Sequence, residues 1–304
     1  MGLIKGVMAV VPTPLTEDEE SDVEGVERIT DLLAGNNVSM FALGSAGEGM
    51  NLTEDVRVAT ARHMAEVNDG RTPLLVGGGT FSVKAALNYI DKVADTKIDG
   101  IHVIPYDGKV SGEAVEELYI AIADRSPLPI WLYQNTTRTS GIPIETVQRL
   151  RDHPNIAGCK VAGFDLRLTQ TFLALDREDF QMVGAADSQF FSFMCLGTAC
   201  SSTSTAACFP ELLVELYEAI QADKLSAARE KNRAVMAFLK RIPKGAYRHN
   251  GESTAELKYL LSRRGICQDT CARPFRSLNA EERAAADLVY ADYEHYLESG
   301  ELRY

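Results

Sequence analysis

Residues 6–15 read GVMAVVPTPL, an apolar run from Gly6 to Val11 that stops at Pro12-Thr-Pro14. A run this short, closed by prolines, reads as a buried β-strand. The two prolines separate a pair of α/β architectures that both alternate strands with helices. A doubly wound sheet ordinarily places a phosphate-binding glycine fingerprint directly after its first strand. Two prolines cannot open such a loop. The glycine-rich stretch further on, Gly44-Ser-Ala-Gly-Glu-Gly49, has the order G-x-x-G-x-G and not G-x-G-x-x-G.

Similar runs recur outward from this one: MFALG from Met40, PLLVGGG from Pro73, GIHVIP from Gly100, PIWLYQ from Pro129, IAGCKV from Ile156, FQMVGAA from Phe180 and ACSSTS from Ala199. Between them lie segments with apolar residues at helical spacing, such as DVEGVERITDLLAG and SVKAALNYIDKVAD. Strands alternating with helices are βαβ units around a parallel sheet. Eight candidate strands predict a (β/α)8 TIM barrel. Past Pro210 the pattern is helical, and Asn279 with Glu282 approaches a capping box. The expected organisation is a barrel over residues 1–224 and a C-terminal helical appendage over residues 225–304, packed on it as one unit.

The 304 residues are 45% hydrophobic, enough for a sizeable core, and carry a formal charge of -12. That balance argues against a sequence-independent grip on nucleic acid or anionic membrane, which needs a basic face. Small molecules are the expected partners. The apolar start, MGLIKGVMAVVPTPL, falls short of the ~20 residues that span a bilayer and reads as a strand, not a signal. Six cysteines without C-x-x-C spacing read as reduced core thiols, so the expected location is cytoplasmic.

In such a barrel, active groups stand at the C-terminal ends of the strands. The candidates there are Thr13, Gly44 to Glu48, Gly77 to Thr80, Tyr106, Tyr133, Lys160, Asp187 and the hydroxyl run Ser201 to Thr205. Lys160 lies among small and apolar residues in IAGCKVAGF. Burial there disfavours its charged form and leaves more free amine to attack a carbonyl. The alternatives are a lysine snorkelling to the rim or paired with Asp187. The small neighbours read as room for a substrate's carbon atoms. Tyr133 can relay protons beside it, or be a rim aromatic with a satisfied hydroxyl. The Gly44–Glu48 turn offers backbone N–H groups to a carboxylate, or is simply a tight βα turn. Arg138 can fork onto a carboxylate, or lie on the surface. Five scattered histidines, with no H-E-x-x-H and no paired cysteine spacing, give metal little support.

In combination and order, Pro12-Thr-Pro14, Gly44-Ser-Ala-Gly-Glu48, the Tyr133 segment ending in Arg138-Thr139, Gly158-Cys-Lys160, Gly184-Ala-Ala-Asp187, and Leu257-Lys258 through Arg273-Pro274 are specific. Over most of its length the chain resembles the dihydrodipicolinate synthase / N-acetylneuraminate lyase family of class I pyruvate-dependent aldolases. The resemblance implies that Lys160 forms a Schiff base with pyruvate or another 2-oxo acid and that Tyr133 moves protons. Ser45 and the backbone around Ala46 would hold the 2-oxo acid carboxylate. It implies no metal or organic cofactor, only the covalent Schiff base on Lys160, and a homotetramer or homodimer.

The departures bear on the second substrate. Ala46 stands where a threonine is common, and Asp107 where the synthases carry a second tyrosine. Gln134 and Thr136 replace the usual Asn and Pro, and Ser202 stands where an apolar residue is common. Arg138 matches the synthases. The expectation is a Schiff-base lyase or synthase that joins or splits pyruvate and an aldehyde, with 4-hydroxy-tetrahydrodipicolinate synthase favoured on Arg138. An aldolase or dehydratase for a 2-keto-3-deoxy sugar acid is the alternative, favoured by Asp107 and Ser202. A catalytically silent 2-oxo acid sensor is the alternative of another class; retention of Lys160 and Tyr133 speaks against it.

Overall fold

The computed structural model describes residues 2–78, 82–105, 110–136, 139, 141–163, 165–246 and 253–303. Eight parallel strands close in chain order into one barrel: β1 (Gly6–Val11), β2 (Ser39–Ala42), β3 (Leu74–Gly77), β4 (Gly100–His102), β5 (Ile130–Asn135), β6 (Ile156–Ala162), β7 (Gln181–Ala185) and β8 (Cys200–Thr203). Closure is made by β1 on β8, with Gly6 opposite Cys200 and Met8 opposite Ser202. This is the (β/α)8 architecture that the sequence predicts.

Most of the strands read as apolar runs because both of their faces are buried, whereas β8 is a buried run of small hydroxyl residues. Side chains alternate with period two. Met8, Val10, Phe41, Leu75, Ile104, Trp131, Tyr133, Val183 and Cys200 fill the barrel interior. The intervening Val7, Ala9, Val11, Met40, Ala42, Val76, Leu132 and Val161 face outward into a larger apolar cluster with the helices.

Helices return between the strands: α1 (Val23–Gly35), α2 (Glu54–Asn68), α3 (Val83–Val93), α4 (Gly112–Ala123), α5 (Ile144–Leu150), α6 (Leu166–Leu173), α7 (Phe190–Cys195) and, after β8, α8 (Pro210–Gln221). Asp22, Thr53, Ser82, Ser111 and Asp165 cap α1, α2, α3, α4 and α6, each side chain accepting from a first-turn N–H. Three further helices follow among the described residues: α9 (Leu225–Leu239), α10 (Thr254–Arg263) and α11 (Ala280–Ser299). Asn279 and Glu282 form a complete capping box at the start of α11. Phe238, Leu257, Leu260 and Tyr293 from these helices belong to the same apolar cluster as the barrel's outer layer. At the junction, Arg264 donates to the Cys208 carbonyl, to Glu211 and to the Tyr293 hydroxyl. All six cysteines are unpaired, five of them buried. Among the described residues no helix is long and apolar enough to cross a membrane.

Candidate active site

Strand register decides which side chains meet. β5 and β6 pair with Tyr133 directly opposite Lys160, and both point inward. Lys160 is only 7% exposed. Its Nζ stands over the face of Phe41, 4.7 Å from the ring centroid, and 5.7 Å from that of Tyr133. Such faces attract an ammonium group. Helix α4 fixes the strand beneath: the Tyr119 hydroxyl donates to the Val103 carbonyl at 2.8 Å and accepts the Tyr133 backbone N–H at 3.1 Å.

Two polar groups that the sequence reading passed over complete this interior. β5 runs on to Asn135, whose side chain points to the same face as Tyr133 and donates from Nδ2 to the Tyr133 hydroxyl oxygen at 2.6 Å. His102 on β4 lies with its ring 4.4 Å from that of Phe41 and edge-on to Tyr133 at 5.2 Å. It is 1% exposed, and neither ring nitrogen has a hydrogen-bond partner among the described residues. Burial first, and then the Lys160 charge, hold its pKa well below the ordinary imidazole value. The signal for both was available in principle: Asn135 is two residues beyond Tyr133, and His102 is the lone ionisable residue in GIHVIP.

The turn after β2 is braced from three sides. Leu43 adopts a left-handed conformation at φ 58°. Its carbonyl leaves no room at Gly49 or Gly77, where a Cβ would come within 2.0 and 2.1 Å of it. The Thr13 hydroxyl donates to the Gly47 carbonyl at 2.5 Å, so the segment after β1 supports the turn. From α10, the Thr254 hydroxyl donates to the Ala46 carbonyl at 3.0 Å. The buried carboxylate of Glu48 pairs with the buried Lys258 ammonium and accepts the Ala272 N–H at 2.8 Å. Ser45 is half-buried, and Ala46 packs into the interior cluster with Phe41 and Tyr133. Phe41, which faces Lys160, also lies directly under Gly44, where a Cβ would meet its ring at 2.6 Å. Turn, ring and lysine are therefore contiguous.

Other candidates sit differently. Gly158 does not leave room for substrate: a Cβ there would meet the Trp131 ring at 2.5 Å and the Gln181 carbonyl at 2.4 Å. The reading of small neighbours as substrate space is corrected at this position, because the space is filled by the indole. Asp187 accepts from the Thr205 hydroxyl at 2.5 Å, the Thr205 N–H at 3.1 Å and the Ser204 hydroxyl at 3.2 Å, so it fastens β7 to the end of β8. Ser202 is buried, and its hydroxyl donates to the Gly184 carbonyl at 3.3 Å. Asp107 and Arg138 lie outside the described residues, as do Thr80 and Tyr106. The flanks of the Arg138 segment are stapled to β5: Thr139 donates from its N–H and its hydroxyl to the Asn135 carbonyl, and Gln134 accepts the Ile142 N–H. A cavity of about 490 Å³ opens between the strand ends at Asp187 and Thr205 and the helical appendage at Lys240, Lys244 and Ser253. Among the described residues no group of three or more His, Cys, Asp or Glu could hold a metal ion.

A barrel of this topology with an inward lysine beside a tyrosine at its C-terminal face has the build of a lyase of the class I aldolase type. The chain belongs to the Dihydrodipicolinate synthetase family, whose family model it matches over residues 3–290. Enzymes of this family use a covalent lysine Schiff base with pyruvate and no external cofactor. The chain is 30% identical over 231 residues to the 4-hydroxy-tetrahydrodipicolinate synthase of Macrococcus caseolyticus, covering 75% of this chain and 78% of that one. Among solved structures, the dihydrodipicolinate synthase of Bacteroides thetaiotaomicron superposes with a TM-score of 0.89 at 27% identity, covering 96% of this chain and 99% of the other. A catalytic-lysine mutant of Ruminococcus gnavus sialic acid aldolase shares the fold, with a TM-score of 0.87 at 20% identity over 94% of each chain.

Proposed function

We propose that Lys160 is the Schiff-base lysine and Tyr133 the proton carrier of an enzyme that joins or splits pyruvate and an aldehyde. The observation that carries this reading is the pairing of Tyr133 with Lys160 across β5 and β6, with the amine held over Phe41 in a buried site. The neutral amine attacks the ketone carbon, the carbonyl oxygen leaves as water, and uptake of one proton gives a protonated imine. The imine draws electrons from the adjacent methyl carbon, which loses a proton to give an enamine. The enamine carbon bonds to the aldehyde carbon, whose oxygen takes up a proton, and water then releases the product and restores the amine. Tyr133 serves the proton steps. Ser45 and the backbone at Ala46 receive the 2-oxo acid carboxylate, and their bracing by Thr13, Thr254 and Glu48 keeps that cradle fixed.

For the second substrate, aspartate semialdehyde is the reading favoured by Arg138 and by the names of the relatives. A 2-keto-3-deoxy sugar acid is the second reading. It is supported by Asp107 and by the Ser202 hydroxyl. We read residues 1–224 as the barrel and 225–304 as an appendage packed on it, in a cytoplasmic homotetramer or homodimer.

The test is to incubate the protein with pyruvate, reduce with borohydride and map the adduct by mass. The adduct is expected on Lys160 and lost in Lys160→Ala. Turnover without any Lys160 adduct would overturn the mechanism. Condensation with aspartate semialdehyde is then assayed beside pyruvate release from deoxy-keto sugar acids; turnover of only the latter rejects the synthase reading.

A further inference from the structure

We infer that Asn135 is a positioning residue for the proton carrier: its amide, donated to the Tyr133 hydroxyl oxygen, favours the ionised phenolate and fixes the direction of the phenol. This rests on the reading of Tyr133 given above. The contact is 2.6 Å, and Asn135 is 7% exposed. It arises from strand geometry, since residues two apart on β5 share the inward face.

Three neighbours do not duplicate the amide's contact. Ala46, packed near the same phenol, has no side-chain hydroxyl to offer. The neighbouring amide of Gln134 points to the other face and is engaged by the Ile142 N–H. His102 meets the Tyr133 ring edge-on, and its nitrogens have no hydrogen-bond partner among the described residues, so it does not serve the phenol oxygen. A phenol oxygen that accepts a hydrogen bond carries negative charge more easily, and the low dielectric of a buried site strengthens the effect. Asn135 thus lowers the work of taking the phenolic proton without itself exchanging one. The backbone of the same residue takes two hydrogen bonds from Thr139, which fixes the amide's starting point.

The experiment monitors the ionisation of Tyr133 directly. Protein with isotope-labelled tyrosine rings is titrated by NMR, and the Tyr133 signal is assigned by its disappearance in Tyr133→Phe. In Asn135→Val the midpoint is expected to rise by about one pH unit, the equivalent of one hydrogen bond to a charged group. In Asn135→Asp, which keeps the shape, a carboxylate beside the phenol should raise it further. A midpoint that stays or falls in Asn135→Val overturns the inference. If Asn135→Val does not fold, Asn135→Ala, which also removes the donor without adding charge, decides in its place. Kinetics add a second readout: turnover is expected to fall about tenfold in Asn135→Val, with the KM for pyruvate within about twofold, as for a barrier raised by one pK unit. A rise in KM with unchanged turnover would instead mark a pyruvate-binding role and overturn the positioning one. Borohydride trapping keeps the two readings apart: an absent Lys160 adduct in the unaltered protein rejects the Schiff-base mechanism, while the titration still judges what Asn135 does to Tyr133.

Discussion

His102 ties the stability of the barrel interior to pH. Its pKa is well below the ordinary value in the folded chain and returns to about 6.5 on unfolding. Above pH 6.5 both states are neutral and nothing is lost. Below it the unfolded chain takes up a proton that the folded chain refuses, so stability falls as pH drops toward the folded pKa. Between pH 7 and pH 5.5 the protein should lose about 1 kcal/mol more unfolding free energy, by urea titration, than His102→Leu does. Equal losses in both proteins would mean that the imidazole is not the group responsible. At this scale the sequence was half legible. Lys160 stood out because a lysine in an apolar run is unusual. His102 and Asn135 did not, since a polar residue at one inward strand position is invisible until register tells which face it occupies.

The turn from Gly44 to Gly49 is an element held by its surroundings more than by its own hydrogen bonds. Its deepest anchor is the Glu48–Lys258 pair, with side chains 1% and 0% exposed. Removing one partner of a buried pair leaves the other charge uncompensated. Lys258→Met should therefore cost about 3–5 kcal/mol in chemical denaturation, and Glu48→Gln combined with Lys258→Met should recover much of that loss. A double variant as unstable as Lys258→Met alone would show that the lysine matters for its hydrogen bond to the Thr270 carbonyl and not for the charge pair. Most strands were readable as elements because burial on both faces makes their sequences largely apolar. The glycine spacing of the turn was readable only as a pattern. Its cause is the Leu43 carbonyl against which Gly49 and Gly77 are both pressed, from two separate parts of the chain.

For the molecule as a whole, the change of pattern after Pro210 marked where the βα units end, but not how far the appendage shares the barrel's core. Tyr293 packs on Phe209 with ring centroids 4.6 Å apart, and Phe238 packs on the same ring at 5.2 Å. Stopping the chain after residue 224 would expose this surface and remove Lys258 from Glu48. The truncated protein is expected to lack a cooperative thermal transition by calorimetry and to fail to trap pyruvate. A sharp transition near that of the full chain would mean that the barrel is self-sufficient. Long-range packing of this kind has no local signature in composition or periodicity, which is why the sequence defined the parts more clearly than their dependence on one another.

Trp131 is the chain's single tryptophan, and it lies 1% exposed in the barrel interior, two residues before Tyr133 and against Gly158. An indole in that position is a built-in optical probe. All of the protein's tryptophan emission arises from one site beneath the lysine and tyrosine, so a spectrum excited selectively at the indole, away from the tyrosine absorption, reports on the interior of the barrel without any label.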